Sequence, residues 1–560
     1  MLSAASSKAI KWTQIVPRVL ILGLDGATLD LVRPWAEAGQ LPALKELMDR
    51  GAWGTLESTV PPMTSPAWPS FATGKYPAKH GVFDFVSAHS GSFNIVNATA
   101  VRASTLWDLL SARGKRVGVI NVPVTYPPRP VNGFMISGLL SPSGAKVTYP
   151  ADLLERYDGQ GPAYRVMPSI QYKPGNEGPF LDDLEDLIEV REQYALRLMQ
   201  DQPWDMLMVH FLSADLAQHA LWRYMDPTHP RFEAGNPYQD AIGRIYQRVD
   251  RAVGALLAEA GTETTTIVMS DHGFGPLHGV INLNILLWQQ GLLNFRRDPL
   301  TRLRAAMFRR GLTPKLAYRL IERLNLQNLV ARVSKSVRNA AYNKFLSFDD
   351  VDWTRTVAYS LGHVGQIYIN VAGRERQGIV PRGAAYEETI GRVIEALGTL
   401  TRPDGRPMVD RAIRAAELPG GPYTDDGPDL HLVLDGYRYI SCPLFATDGH
   451  VLSRQIRGDS GSHRMEGTFI AAGPQVRASG RVEGLRIVDL APTVLSLLGC
   501  PVPEDMDGHV LSGLLAAGTP AHAVAPAREA AGHARPGAMS LSPEEEAELQ
   551  RRLRGLGYLG

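Results

Sequence analysis

Several short apolar runs punctuate the chain: Val19–Leu24, Val117–Ile120, Met206–Leu212, Thr265–Ser270 and Thr468–Ala472. Each is aliphatic or β-branched at consecutive positions, so both faces of the strand are apolar. That pattern predicts buried parallel strands covered by helices on both sides. Between them, Asp183–Gln200 and Gln239–Glu259 carry apolar residues at helical spacing. Alternating strands and helices predict an α/β fold, a three-layer sandwich around a central, mostly parallel sheet.

The residues just past three of these runs add chemistry. Val19–Leu24 leads into Asp25, Met206–Leu212 into Asp215, and Thr265–Ser270 into Asp271-His272. Open α/β sheets bind ligands beyond the carboxyl ends of their strands. One strand-terminal Asp more often caps a loop or helix; three delivered to one edge weaken that reading. Asp215 and His219 are four residues apart, so on a helix they share a face and could hold one metal ion. The segment Pro61-Pro62-Met63-Thr64-Ser65-Pro66-Ala67-Trp68 restricts the backbone on both sides of a hydroxyl, although alone it reads as a proline-rich turn. Gly461-Ser462-His463-Arg464 sets a histidine in a glycine-bearing loop before a further strand.

Composition narrows the options. Of 560 residues, 44% are hydrophobic and 21% charged, and the net charge is +1, so nothing global calls for nucleic acid or a membrane. The two cysteines, Cys442 and Cys500, form no CxxC pattern, which removes a cysteine-rich zinc site and a disulfide framework. Any metal must be held by His, Asp, Glu or Thr. The first residues lack the apolar core of a signal peptide, and no run of about 18 apolar residues occurs, so the expected location is the cytoplasm. The expected organisation is a tail over 1–16, a catalytic domain over 17–515, a linker over 516–540 and a helical tail over 541–560, which would dock on the body or on a second subunit of a homo-oligomer. Within the domain, 295–350 reads as a helical cap insertion. Its stretch Phe295–Phe345 holds 13 Lys/Arg against two acids, Asp298 and Glu322. That is either a solvated basic face or a surface for an anionic substrate, lipid headgroup or acidic partner.

Taken in order, these motifs resemble the alkaline phosphatase superfamily, and within it the type I phosphodiesterase/nucleotide pyrophosphatase group. The resemblance rests on Leu22-Gly23-Leu24-Asp25-Gly26, the Thr64 segment with Phe71-Ala72-Thr73-Gly74 behind it, Asp215…His219, Ser270-Asp271-His272-Gly273, and His463 before Phe469–Pro474. It implies two divalent metal ions, one on Asp25, Thr64, Asp271 and His272, the other on Asp215, His219 and His463. Mixed carboxylate and imidazole ligands suit zinc, with manganese also acceptable. It further implies Thr64 as nucleophile, a phospho-threonine intermediate and a small phosphorylated substrate. Lys75 and Asn121 are further candidate substrate contacts. Two departures qualify the resemblance. The asparagine expected soon after the nucleophile is absent, with Pro66 and Ala67 in its place. A sulfatase is disfavoured, since threonine cannot become formylglycine. A phosphomonoesterase, phosphomutase or phosphonate hydrolase on the same scaffold is the alternative, and a metal-binding protein without turnover a more distant one.

Overall fold

The computed structural model describes residues 17–555 apart from 90–91, 158, 314–345, 444, 446–448, 454–458, 518–523 and 526–540. The expected tail 1–16, most of the basic stretch 295–350 and most of the linker 516–540 therefore lie outside the described residues.

The central sheet is built on β1 (Arg18–Leu24), β2 (Ala52–Glu57), β3 (Val117–Ile120), β4 (Gly133–Ile136), β5 (Met206–Phe211), β6 (Thr264–Met269) and β9 (Glu466–Ala472). Its order is β2-β9-β6-β1-β5-β3-β4, with short strands at both edges. The run from β6 to β4 is parallel. β9 is antiparallel to both neighbours, β6 and β2, so the expectation of a parallel strand at Thr468–Ala472 is corrected to an antiparallel one. Chain order explains the direction: β9 enters directly from the ladder of β7 (Gly273–Pro276) and β8 (Gly461–Arg464), with no crossover helix, and a parallel neighbour would need one.

Side chains alternate across β1. Leu20 and Leu22 enter a core shared with the helices α2 (Glu177–Asp201), α3 (Ser213–Met225) and α4 (Ala241–Ala260). Val19 and Ile21 enter a second core under α1 (Thr64–Thr73) and α5 (Leu490–Leu497). Two covered faces account for the uninterrupted apolar runs. Register then fixes the site: Leu24 of β1 pairs with Phe211 of β5, and Gly23 with Met269 of β6. The three strands end level, and Asp25, Asp215 and Asp271-His272 come next at one edge.

Between β7 and β8 the chain builds a separate antiparallel sheet from Ala358–Ser360, Gln366–Ile369, Leu430–Leu434 and Val409–Arg414, with its own apolar core. The helical part described within 295–350 is Pro299–Arg309 and a 3₁₀ turn at Phe348–Asp350. Neither cysteine is in a disulfide, and Cys500 is buried in the α1/α5 core. Among the described residues, no helix is long and apolar enough to cross a membrane.

Candidate active site

Thr64 is the first residue of α1, just past an extended Met63, and is fully buried. Its Oγ1 lies 3.2 Å from His272 Nε2. Asp25 leaves β1 through Gly26, whose φ is +66°; a Cβ there would come within 2.9 Å of Phe274 and 3.2 Å of Asp215 Oδ1, so this bend demands glycine. His272 Nε2 is 3.3 Å from Asp271 Oδ2 and 3.7 Å from Asp25 Oδ1. Asp215 and His219 share one face of α3, as their spacing requires, with Asp215 Oδ1 lying 3.5 Å from both His219 Nε2 and His463 Nε2. His463 arrives on β8, paired opposite Phe274 of β7, and its ring stacks on His272 with centroids 3.6 Å apart. The seven expected positions thus converge. Two groups of ligand-type atoms, Asp25/Asp271/His272 and Asp215/His272/His463, lie close enough to share an ion.

The hydrogen bonds test whether cations fit. Nδ1 of His272 faces the carbonyl of Gly273, Nδ1 of His219 that of Gly461, and Nδ1 of His463 that of Pro62. A carbonyl only accepts, so each Nδ1 carries the proton and each Nε2 presents a lone pair. Yet the Nε2 atoms of His219 and His463 are 2.9 Å apart. Two lone pairs at that distance repel unless a positive charge lies between or beside them. The carboxylates agree. Asp25 Oδ1 and Asp271 Oδ2 are buried without a hydrogen-bond donor among the described residues. Burial, reinforced by the charges of Asp271 and Asp215, raises Asp25 well above the ordinary carboxylate range. Burial and the Asp215 charge push Asp271 up to about 8. Burial also acts to raise Asp215, but His219, His463 and His272 outweigh it and hold that carboxyl low. Burial lowers His219 to about 4 and takes His272 well below its usual value, so both imidazoles stay neutral. Electron-rich ligands buried together away from water suit a bound cation.

Two further residues complete the Asp25 environment. His210 Nε2 lies 2.8 Å from Asp25 Oδ2, and Trp68 Nε1 donates to the same oxygen at 3.2 Å. Both donors hold Oδ2, which turns Oδ1 toward His272. Gly23 makes room for the indole, since a Cβ there would sit 2.6 Å from Trp68. The histidine inside the apolar run Met206–Phe211 was the sequence signal for this contact, because a buried polar side chain needs a partner.

The two candidate substrate contacts fall differently. Asn121, at the carboxyl end of β3 with φ +65°, is buried beside the site, and its Oδ1 accepts from Tyr164. Lys75 lies past the far end of α1, roughly 15 Å along the helix from Thr64, and is ion-paired with Asp505.

Carboxylates, imidazoles and a hydroxyl gathered at the carboxyl edge of an alkaline phosphatase-like sheet are the outfit of a metal-dependent hydrolase of phosphoric esters. The family model for type I phosphodiesterase / nucleotide pyrophosphatase matches residues 19–348, more than half of the chain, and the protein belongs to that family. The fold is also that of human ectonucleotide pyrophosphatase / phosphodiesterase 5, with a TM-score of 0.50 at 14% identity, covering 89% of this chain and 99% of that one. A search of curated proteins by sequence gave no match.

Proposed function

We propose that the protein is a phosphodiesterase in which Thr64 is the nucleophile and Asp25, Asp271 and His272, with Asp215, His219 and His463, hold two divalent ions, zinc by ligand type. The observation that carries this reading is the Thr64 hydroxyl 3.2 Å from His272 Nε2, beside two groups of buried carboxylate and imidazole atoms close enough to share an ion. Bound ions would acidify the threonine hydroxyl and a water, and offset the charge of the phosphoryl oxygens.

The chain's own contributions come from the geometry. Position N1 of α1 fixes the Thr64 hydroxyl at a helix N-terminus. Pro66 brings no N–H to that first turn, which leaves the amides of Thr64 and Ser65 to meet phosphoryl oxygens. In this reading the backbone donors take the part of the asparagine amide that the resemblance leads one to expect after the nucleophile. Thr64 Oγ attacks phosphorus in line, a P–O bond to one ester oxygen breaks, and an alcohol leaves; water then hydrolyses the phospho-threonine and restores the hydroxyl. Trp68 and His210 keep Asp25 in one orientation throughout, and the apolar cores on both faces exclude bulk water from the strand edge.

Hydrolysis of bis(p-nitrophenyl) phosphate and p-nitrophenyl phosphate, each with zinc, manganese or chelator, tests the proposal. The expected result is diester preference, loss on chelation, and a fall on the order of 10³-fold or more in Thr64→Ala. Turnover undiminished in Thr64→Ala removes the nucleophile assignment; monoester preference selects the alternative on the same scaffold.

A further inference from the structure

The C-terminal helix α6 (Pro543–Gly555) belongs to the catalytic body rather than to a loose tail. Leu549 and Leu553, one turn apart, are fully buried among Met63, Val82, Phe85, Val124, Leu139 and Leu140. Met63 immediately precedes Thr64. The polar side of α6 is clipped to the 141–143 loop: Arg552 donates to the Ser141 carbonyl and to Ser143 Oγ, and Ser143 donates to Glu548.

With its apolar edge fixed in this way, α6 turns Glu548, Arg551 and Arg552 toward a cavity of about 1100 Å³. The same cavity is lined by His219, one of the candidate metal ligands. Its charged walls can be paired off. Arg552 is neutralised by Glu548. Arg165 is neutralised by Asp183, which lies outside the cavity lining. Asp459 is buried beside Arg231, whose guanidinium its charge supports. Lys173 and Arg551 remain, both exposed and without an acidic partner among the described residues. A cavity that reaches the candidate site through His219 and carries uncompensated cations on its walls favours a ligand with a second anionic group beside the phosphoryl group.

We propose that α6 is a wall of the substrate site, and that Arg551 and Lys173 receive an anionic group, phosphate or carboxylate, carried by one arm of the diester beyond the bond that is cleaved. This substrate class rests on the diesterase reading, but its test does not depend on turnover.

Binding of phenylphosphonate and 4-carboxyphenylphosphonate, neither of which can be hydrolysed, would be measured by calorimetry on the full-length, metal-loaded protein. The wild type is expected to bind the carboxylated compound roughly tenfold more tightly. The double variant Arg551→Ala/Lys173→Ala should lose most of that gap, and Arg551→Lys should keep most of it, because charge is what is read. A wild-type gap below twofold, or a gap that survives the double variant, overturns the proposal. Turnover of p-nitrophenyl phenyl phosphate and its 4-carboxyphenyl counterpart then separates the two readings. Failure of both diesters with the binding gap intact removes the diesterase reading alone; turnover of both at equal kcat/KM, with no binding gap, removes the anionic-arm assignment alone.

Discussion

Asp25 shows how one carboxylate is prepared to bind a cation. Two N–H donors, from His210 and Trp68, converge on Oδ2, and none reaches Oδ1. Rotation of the carboxylate would break both bonds in a dry environment, so the free oxygen has a fixed direction. His210→Ala and Trp68→Phe should each weaken metal binding by about 10- to 100-fold, read by competition with a chromophoric chelator. Equal affinity in both variants would show that Asp25 is oriented by packing alone. The Trp68→Phe variant is the cleaner of the two, since it keeps most of the ring that fills the space over Gly23. The seven ligand-type residues were legible in the sequence because each sits at a strand end, a helical i,i+4 pair or a glycine-bearing loop, in a recognisable order. His210 was not singled out, because an isolated histidine in an apolar strand does not name its partner; Asp25 lies 185 residues away. Lys75 poses the opposite case: a lysine after a helix-ending glycine looks exposed and available in the sequence, and only the fold reveals Asp505 beside it.

At the scale of elements, periodicity located the parallel strands β1, β3, β5 and β6 and the helix α4 to within a few residues, found α2 without its first turns and missed β4, because burial on both faces leaves an unbroken apolar run and burial on one face leaves a 3.6-residue repeat. Direction left no such mark. β9 reads like its parallel neighbours and runs the other way. The antiparallel sheet between β7 and β8 was also hidden, since its strands are short and carry no strand-end chemistry. The helix α6 was legible from Ser542 onward, where the Ser542 hydroxyl caps Glu545 and the Glu545 carboxylate bonds back; its docking site was not. Packing gives a direct expectation. Leu553→Ala removes a fully buried side chain and should cost about 2–4 kcal/mol in thermal or urea unfolding. It should also raise KM for the 4-carboxyphenyl diester more than for the phenyl diester, with Arg551 still present. A purely structural tail would lose stability and leave the ratio of the two KM values unchanged.

For the whole molecule, the cluster ties folding to metal and pH. Without a cation, Asp271 is held at about 8 by burial and the Asp215 charge, far above its value of 3.8 in an unfolded chain. Between those two values the metal-free folded protein keeps a proton that the unfolded chain has released. Stability changes with pH in proportion to protons bound unfolded minus folded, so the Asp271 contribution to the metal-free form falls as pH rises from about 4 to about 8, while His219 and His272, held neutral in the fold, contribute in the opposite sense below their unfolded value of 6.5. Metal binding has the opposite dependence, because the cation must displace the proton from Asp271, and its apparent affinity climbs across the same window. The stabilisation by metal, read as the difference in Tm between zinc-loaded and chelator-treated protein, should therefore widen between pH 5.5 and pH 8. Calorimetric titration at pH 7 in buffers of different ionisation enthalpy should show proton release as the Asp25/Asp271/His272 group fills, because both carboxyls are raised in the metal-free fold. A Tm difference independent of pH, together with no proton release, would mean that Asp271 is already ionised in the metal-free fold. The lone pairs of His219 and His463, 2.9 Å apart, would then be the main source of strain that the cation relieves.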